Sequence, residues 1–519
     1  MKLLMLLSVL STATAAWNSG YFTSSVPLPT ERFKILFLLP TTFKSHIWMA
    51  APLLVDLARR GHEVHMFCDS RNQFKIPNVT CINHGVRLSA PEDVDTFDVV
   101  RNPLSLLKTF TNAAANDAEK MFNSDITMKV FERRGEYDLI VIDHLGLSMF
   151  YPFAHGTPFA ILSCSPLLPC QSASLGNVPN PAFVSSALME FKQPYGTFDR
   201  LKNIVLTLAQ CYVYWAIHSQ SEIVMSERFP WLPSFKEIER NASLHLVTSS
   251  MALDGPLALL PNQVPIAGLV LRPPQPLPKD ILDFMSGNTS VIYISFGVSF
   301  IRNDSIPRDK KDILLSVSKK LPYKVIMNVY GQASGRSGNV LLTGMVPQQD
   351  ILAHPNVKLF ISHCGLAGVD ETVYHGVPVI ALPAAPEHGA MAGKLVLAGT
   401  AIQLSWLTLT EEILRDAVME IMTNSSYGEN MAFVSRVFRD QKDTALDRAV
   451  FWTEYAARFR GAPHLKSPAR HLSWIEFLSL DFILLALVLC YCAFNVFLKV
   501  IRALRTKCVG DKNEKVKIT

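Results

Sequence analysis

The chain is 519 residues long, with 49% hydrophobic residues and a formal charge of +5. That length exceeds one ordinary domain and allows two sizeable cores. The excess charge does not mark a nucleic-acid binder: seven Lys/Arg against two Asp/Glu between Lys499 and Thr519 account for all of it, so the remainder is near neutral.

Met1-Lys2, a Leu-rich run from Leu3 to Leu10 and the small residues Ala13-Thr14-Ala15-Ala16 form the three regions of a secretory signal over residues 1–16, with the mature chain starting near Trp17. A strand pattern from Phe33 to Leu39 follows, then a loop through His46 and a helical pattern from Trp48 to Arg60. Gly61 stops that helix, and Glu63 to Phe67 form the next strand, a βαβ opening. Further strands are predicted at Leu139–Ile142, ending on Asp143, and at Phe159–Leu162. The alternation predicts a parallel sheet covered on both faces, in a first domain over 17–255.

Seven prolines from Pro256 to Pro278 make residues 256–279 an extended linker. Strands then recur at Val291–Ser295, Tyr323–Met327, Val340–Leu342, Val357–Ser362 and Val379–Leu382, which places a second α/β domain over 280–460. After a juxtamembrane segment over 461–477, the apolar run Phe482–Leu498 and its flanks give a transmembrane helix over 478–501, close to the roughly 20 residues a span needs. Lys499, Arg502, Arg505 and Lys507 put the tail over 502–519 in the cytosol and everything from Trp17 to Asp481 in the lumen or outside the cell. Lys515 and Lys517 match a dilysine signal for retrieval to the endoplasmic reticulum. Asn78, Asn241, Asn288, Asn303 and Asn424 head glycosylation sequons that a lumenal location makes usable. The nine cysteines form no CxxC pair, and spacing does not settle pairing among Cys68, Cys81, Cys164, Cys170 and Cys211.

The stretch "FISHCGLAGVDETVYHG", from Phe360 to Gly376, is where chemistry concentrates. A buried strand stops at His363, and a helix opens at Gly365. At the carboxyl end of a parallel strand this geometry favours an anion: Gly365 and Gly368 let backbone approach a phosphate, and His363 can donate a hydrogen bond to it. His363, Cys364, His375 and His388 lack the spacing of a zinc set, so no metal is expected. Cys364 stands where a thiolate is favoured, and on its own residues the stretch reads first as a plain βα turn with an incidental histidine.

Its surroundings add to this. Met345-Val346-Pro347-Gln348-Gln349-Asp350-Ile351-Leu352, His354-Pro355, His363-x-Gly365, Glu371, His375-Gly376, Pro378 and Pro383 resemble the signature of the UDP-glycosyltransferases, in the membrane-bound branch similar to UDP-glucuronosyltransferases. "YDLIVID" at Tyr137–Asp143, "PLPKDILDFMSG" at Pro276–Gly287 and "HLSWIEFLSLD" before the membrane helix extend the resemblance over nearly the whole chain. The resemblance implies the GT-B architecture, two doubly wound Rossmann-like domains, here with one C-terminal transmembrane helix. It implies inverting transfer of a glucuronosyl or glucosyl group from a UDP-sugar to small lipophilic acceptors, a detoxifying conjugation, with no cofactor besides the donor.

By position, His46 corresponds to the general base and Asp143 to its carboxylate partner. Gly297, Ser299, Met345, Val346, Gln348, His363, Gly365, Gly368, Glu371, Glu387 and His388 correspond to the UDP-sugar site. Apolar residues such as Phe150, Tyr151 and Phe153 suit an acceptor pocket or a core. Partners implied are the UDP-sugar, the acceptor, the membrane of the endoplasmic reticulum and other family members in an oligomer. The chain departs from the family at Met345 in place of a stacking tryptophan, at Val298 after Gly297, at Ala367, and at Glu387-His388 in place of Asp-Gln. The departures leave the donor sugar open. They also raise a second reading, a catalytically impaired member that binds lipophilic ligands or acts as a regulatory partner.

Overall fold

The protein is described from a computed structural model, over residues 21–39, 44–69, 76–89, 96–144, 147–165, 167–177, 180–186, 195–297, 306–328, 335–344 and 346–516. The signal segment, Ser299, Met345, Asn303 and Lys517 lie outside these residues. The chain divides into one unit ending at Lys466 and another beginning at Ser467.

The first unit holds two seven-stranded sheets. One contains β1 (Lys34–Leu38), β2 (Glu63–Cys68), β3 (Thr80–Asn83), β4 (Leu139–Asp143), β5 (Phe159–Leu162), β6 (Leu244–Val247) and β7 (Gln263–Pro265). Its order is 3-2-1-4-5-6-7, with every pair parallel. β4 is buried along its whole length and β1 from Ile35 on, which explains their near-continuous apolar sequences: a parallel strand covered on both faces has no solvent side to mark with polar residues. The order reverses between β1 and β4, the kind of switch point at which doubly wound sheets hold ligands beyond the strands' carboxyl ends.

The other sheet contains β8 (Val291–Ser295), β9 (Lys324–Asn328), β10 (Gly335–Ser337), β11 (Val340–Thr343), β12 (Val357–Ser362), β13 (Val379–Ala381) and β14 (Ala401–Gln403). Its order is 10-11-9-8-12-13-14, with β10 alone antiparallel, and its reversal falls between β8 and β12. Two doubly wound sheets in one unit form the GT-B architecture.

Six helices matter below: α1 (Lys44–Arg59), α2 (Thr197–Arg228), α3 (Leu366–His375), α4 (Pro386–Leu397), α5 (Ala445–Arg458) and α6 (Leu480–Val516). The halves exchange elements. α5 follows the second sheet in sequence but buries Leu446, Ala449, Val450 and Ala457 in the core that holds Ile35, Phe37, Leu53 and Leu54. Conversely, the helix Thr96–Arg101 sets Phe97 edge-on to Trp406, 5.5 Å away in the second core.

Between the sheets, the proline-rich connection is pinned by carboxylates. Arg272 makes a bidentate pair with Asp350 at 2.7 and 2.8 Å, and the Gly268 N–H donates to Asp370 at 2.7 Å. Cys68 and Cys81 form a disulfide joining β2 to β3.

In the second unit, Leu480–Arg505 is an exposed helical stretch of 26 residues that contains an 18-residue window of mean hydropathy 2.3, long and apolar enough to cross a membrane.

Candidate active site

β4 ends on Asp143, and α1 begins two residues before His46, so the switch point of the first sheet brings the two side chains together. His46 Nδ1 lies 2.8 Å from Asp143 Oδ2, and both residues are buried. A carboxylate there fixes the proton on Nδ1 and leaves Nε2 as the basic nitrogen. His144, next in sequence, stacks on His46 with ring centroids 5.9 Å apart and planes 11° apart. It is anchored by Ser165 Oγ at 2.7 Å and by the Cys164 N–H at 3.3 Å. Burial lowers the His144 pKa to about 4, so its ring is neutral.

Cys164 completes the cluster. His46, Asp143 and Cys164 each place one potential ligand atom within 4.8 Å of the others. Burial and the Asp143 carboxylate push the thiol pKa well up, so the sulfur stays protonated, a poor metal ligand and a hydrogen-bond partner for Asp143.

In the second sheet, β12 runs into His363, Cys364 and Gly365, and Gly365 caps α3 with extended backbone at φ −63° and ψ 147°. The His363 ring is wedged between two glycines. A Cβ at Gly365 would stand 2.5 Å from His363 Nε2, and one at Gly297, where φ is +76°, would stand 2.9 Å from Cε1. The edge of His388 meets the ring at 4.6 Å and 90°. Burial, reinforced by His388, holds His363 neutral, so it acts as a hydrogen-bond group and not as a cation.

Cys364 turns away from this site. It adopts φ +62°, is fully buried among Val369, Val373 and Val379, and burial pushes its pKa up to about 12. The reactive-thiol reading allowed by its position at a helix start is thereby corrected, because the side chain points into the core and not toward the free N–H groups.

One turn into α3, Glu371 Oε2 accepts a hydrogen bond from Gln348 Nε2 at 2.5 Å, and the Tyr293 hydroxyl donates to Gln348 Oε1 at 3.4 Å. Burial raises the Glu371 pKa to about 7. Gly368 lies beside Gln348, where a Cβ would come within 3.5 Å of Nε2. Val346 instead packs on the core of Ile281, Tyr293 and Phe360.

Glu387 sits in the first turn of α4. Desolvation by neighbouring protein atoms raises its pKa although the residue keeps solvent exposure, while its own backbone N–H and the nearby His46 act in the opposite direction, so Glu387 lies within electrostatic range of His46. Ala367 and Leu366 of α3 also touch the core of the first sheet. Thus the start of α3 packs on the half that carries His46 and Asp143, and Glu387 and His388, which meets His363, lie on the same side of the second half.

The model of the family described as "UDP-glucoronosyl and UDP-glucosyl transferase" matches residues 92–515. The chain belongs to this family.

Its curated relatives include UDP-glycosyltransferase UGT5 of Dactylopius coccus, 30% identical over 464 residues, covering 87% of this chain and 88% of the relative. UDP-glucuronosyltransferase 2B14 of Oryctolagus cuniculus is 28% identical over 491 residues, covering 87% and 89% respectively. Among solved structures, Spinosyn Forosaminyltransferase SpnP matches with a TM-score of 0.57 at 16% identity, over 82% of this chain and all of that one. That likeness speaks for the fold alone.

Within this UDP-glycosyltransferase, several residues at the site carry no mark in the sequence reading. His144 directly follows Asp143 in "IDH" and could have been found by adjacency. Cys164 and Ser165 could not, since only the pairing of β4 with β5 brings them to Asp143. Asp370, beside Glu371, serves the linker through Gly268. Of the sequons, Asn78, Asn241, Asn288 and Asn424 are exposed. The Asn424 side chain also caps a helix, its Oδ1 accepting from the Ser426 N–H at 3.1 Å, while Nδ2, the atom a glycan would occupy, donates to Glu420 Oε1 at 2.9 Å.

Proposed function

We propose that this UDP-glycosyltransferase moves a neutral hexosyl group, glucosyl in preference to glucuronosyl, from its UDP-sugar to a hydroxyl of a small lipophilic acceptor, inverting the anomeric carbon. The supporting observation is the buried His46–Asp143 pair, bonded at 2.8 Å at the switch point of the first sheet. His46 Nε2 takes the acceptor proton, Asp143 stabilises the imidazolium that results, and the new oxygen–carbon bond forms as the bond to UDP breaks. Negative charge then builds on the diphosphate, where His363 and the first N–H groups of α3 donate hydrogen bonds.

The donor preference follows from Glu387 and His388. A carboxylate at the sugar end accepts bonds from hydroxyls and repels a second carboxylate, while His388, its pKa lowered by burial to about 4, offers no positive charge. UDP-glucose is expected to bind at least tenfold more tightly than UDP-glucuronate in a calorimetric panel. The reverse order would reject this preference while leaving the reaction class intact. No metal is assigned a role, and EDTA is expected to leave turnover unchanged.

The membrane reading extends the family expectation: Leu480–Arg505 anchors the chain in the endoplasmic reticulum with the sheets in the lumen and the basic tail in the cytosol.

A pH dependence of binding follows from Glu371. In the proposed role its carboxylate accepts hydrogen bonds from ribose hydroxyls, which requires the ionised form, and burial raises its pKa to about 7. The donor therefore binds more tightly as pH rises through that value. Between pH 6 and pH 8 the Kd for UDP-glucose, whose diphosphate diester keeps its charge over this range, should fall about tenfold, and Glu371→Gln should flatten the profile. A flat profile in the unmodified protein would separate Glu371 from the nucleotide.

A further inference from the structure

A hydrogen bond fixes a distance but not a plane. The 2.8 Å bond between His46 Nδ1 and Asp143 Oδ2 holds one edge of the imidazole and leaves the ring able to tilt about that bond, which would swing Nε2 away from a hydroxyl held in a fixed place. His144 meets the face of the same ring. The two imidazoles lie 11° from parallel with centroids 5.9 Å apart, an offset stack.

The His144 ring is itself held still. Its Nδ1 accepts from the Cys164 N–H at 3.3 Å, and a backbone N–H only donates, so in the neutral ring the proton sits on Nε2 and goes to Ser165 Oγ at 2.7 Å. The ring is neutral because burial, helped by His46, prevails over the attraction of Asp143. Ser165 is tied down in turn: its carbonyl accepts from Thr248 Oγ1 at 2.8 Å just beyond β6, and two residues earlier the Ser163 N–H donates to the Leu246 carbonyl at 2.9 Å within β6. The ends of β4, β5 and β6 thus combine to fix one ring that is only 4% exposed. Both of its nitrogens are in use, which leaves neither for passing a proton to His46. What it offers His46 is a face.

We propose that His144 is a positioning residue for the transfer reaction: its ring, locked by the Cys164 N–H and Ser165, sets the plane of His46 and receives on its face the positive charge that His46 acquires with the acceptor proton. This rests on the reading of His46 as the general base. No bond is made or broken at His144. Before transfer, the parallel ring opposes the tilt that the Asp143 bond permits, so Nε2 keeps its aim. During transfer, the His46 imidazole becomes a cation within about 6 Å of an aromatic centroid, where the electron-rich face favours the charge. A charged His144 would repel that cation, and the burial that brings its pKa to about 4 keeps it neutral.

The test separates a face from a hydrogen bond. His144→Phe keeps an aromatic face and gives up both ring nitrogens, whereas His144→Asn keeps an acceptor for the Cys164 N–H and gives up the ring. With UDP-glucose and a phenolic acceptor, His144→Ala and His144→Asn should each lower kcat about thirtyfold, inside the roughly hundredfold that a misplacement of about an ångström can cost, while KM for both substrates and the calorimetric Kd for UDP-glucose stay within about twofold. His144→Phe should recover roughly a third or more of the unmodified kcat. A His144→Phe no better than His144→Asn, an unchanged kcat in His144→Ala, or a loss confined to KM would each overturn the proposal. If the His144 variants no longer bind UDP-glucose, Ser165→Ala decides, since it loosens the ring without removing it: kcat should fall about threefold, and an unchanged kcat would be the overturning result. His46→Ala is assayed alongside. Full activity there removes the general base and this proposal with it, whereas an inactive His46→Ala beside a fully active His144→Ala sinks the proposal alone.

Discussion

His46→Ala lowers kcat/KM for transfer from UDP-glucose to a phenolic acceptor about a thousandfold, within the range expected for loss of a positioned general base, and leaves the Kd for UDP-glucose within twofold. The two effects separate because His46 lies at the end of the first sheet, while the nucleotide cradle of His363, Gln348 and Glu371 belongs to the second. Asp143→Asn should lose activity by a comparable factor through a different cause. An amide that turns its N–H₂ toward Nδ1 stabilises the wrong tautomer and withdraws the charge that supports the imidazolium. Stopped assays of transfer and calorimetry of UDP-glucose on the same preparations decide the matter. A rise in the Kd of His46→Ala that matches the loss in kcat/KM would place His46 in donor binding instead of proton transfer.

What the sequence made legible follows from burial on two faces. β1, β4, β5, β8 and β12 carry mostly apolar runs, broken in β12 only by the exposed Lys358, and their predicted limits fall within a residue or so of the observed ones. β3, β6, β7, β10 and β14 lack such a run: Thr80–Asn83 is largely exposed, Gly335–Ser337 fully so, His245 interrupts β6, β7 lies in the proline-rich connection, and β14 has only two apolar residues. α2 escaped a periodicity search for a different reason, because its apolar stripe marks the solvent side and its polar residues the core side. The proposed dyad was readable only through motif order: nothing local distinguishes His46 from a loop histidine until β1 and β4 pair as neighbours. Cys364 misled because spacing shows where a residue stands and not where its side chain turns, and the positive φ reverses that direction. The Cys68–Cys81 bond depended on the pairing of β2 with β3, which spacing could not supply.

The C-terminal strap was the least legible element, and it carries the largest expected effect on stability. Glu454, on α5, accepts from Arg60 Nε at 2.5 Å and Arg60 Nη2 at 3.0 Å, and its Oε1 lies 3.0 Å from His62 Nε2. The Arg60 side chain is fully buried, that of Glu454 only 2% exposed. Arg60 also donates to the carbonyls of Val26 and Pro27, so one guanidinium ties the N-terminal segment, the end of α1 and the strap together. Removing the carboxylate strands a buried cation, which costs about 3–5 kcal/mol. Glu454→Ala should therefore lower the urea midpoint strongly, with a smaller loss for Glu454→Gln, which keeps a hydrogen-bond acceptor but not the charge.

The same carboxylate imposes a pH dependence. Desolvation opposes its ionisation, but the bonds to His62 and Arg60 prevail, so the folded pKa lies below the ordinary glutamate value. Its contribution is then complete above the unfolded pKa and is lost as pH falls through the folded one. Acid should erase the stability gap between the unmodified chain and Glu454→Gln, and a gap that persisted at low pH would assign the loss to packing instead of charge. Because α5 returns from the second half to the first, partial release of the strap should also loosen the site. Transfer should fall in Glu454→Gln at temperatures where the protein remains folded, through a rise in KM for the acceptor before any fall in UDP-glucose affinity.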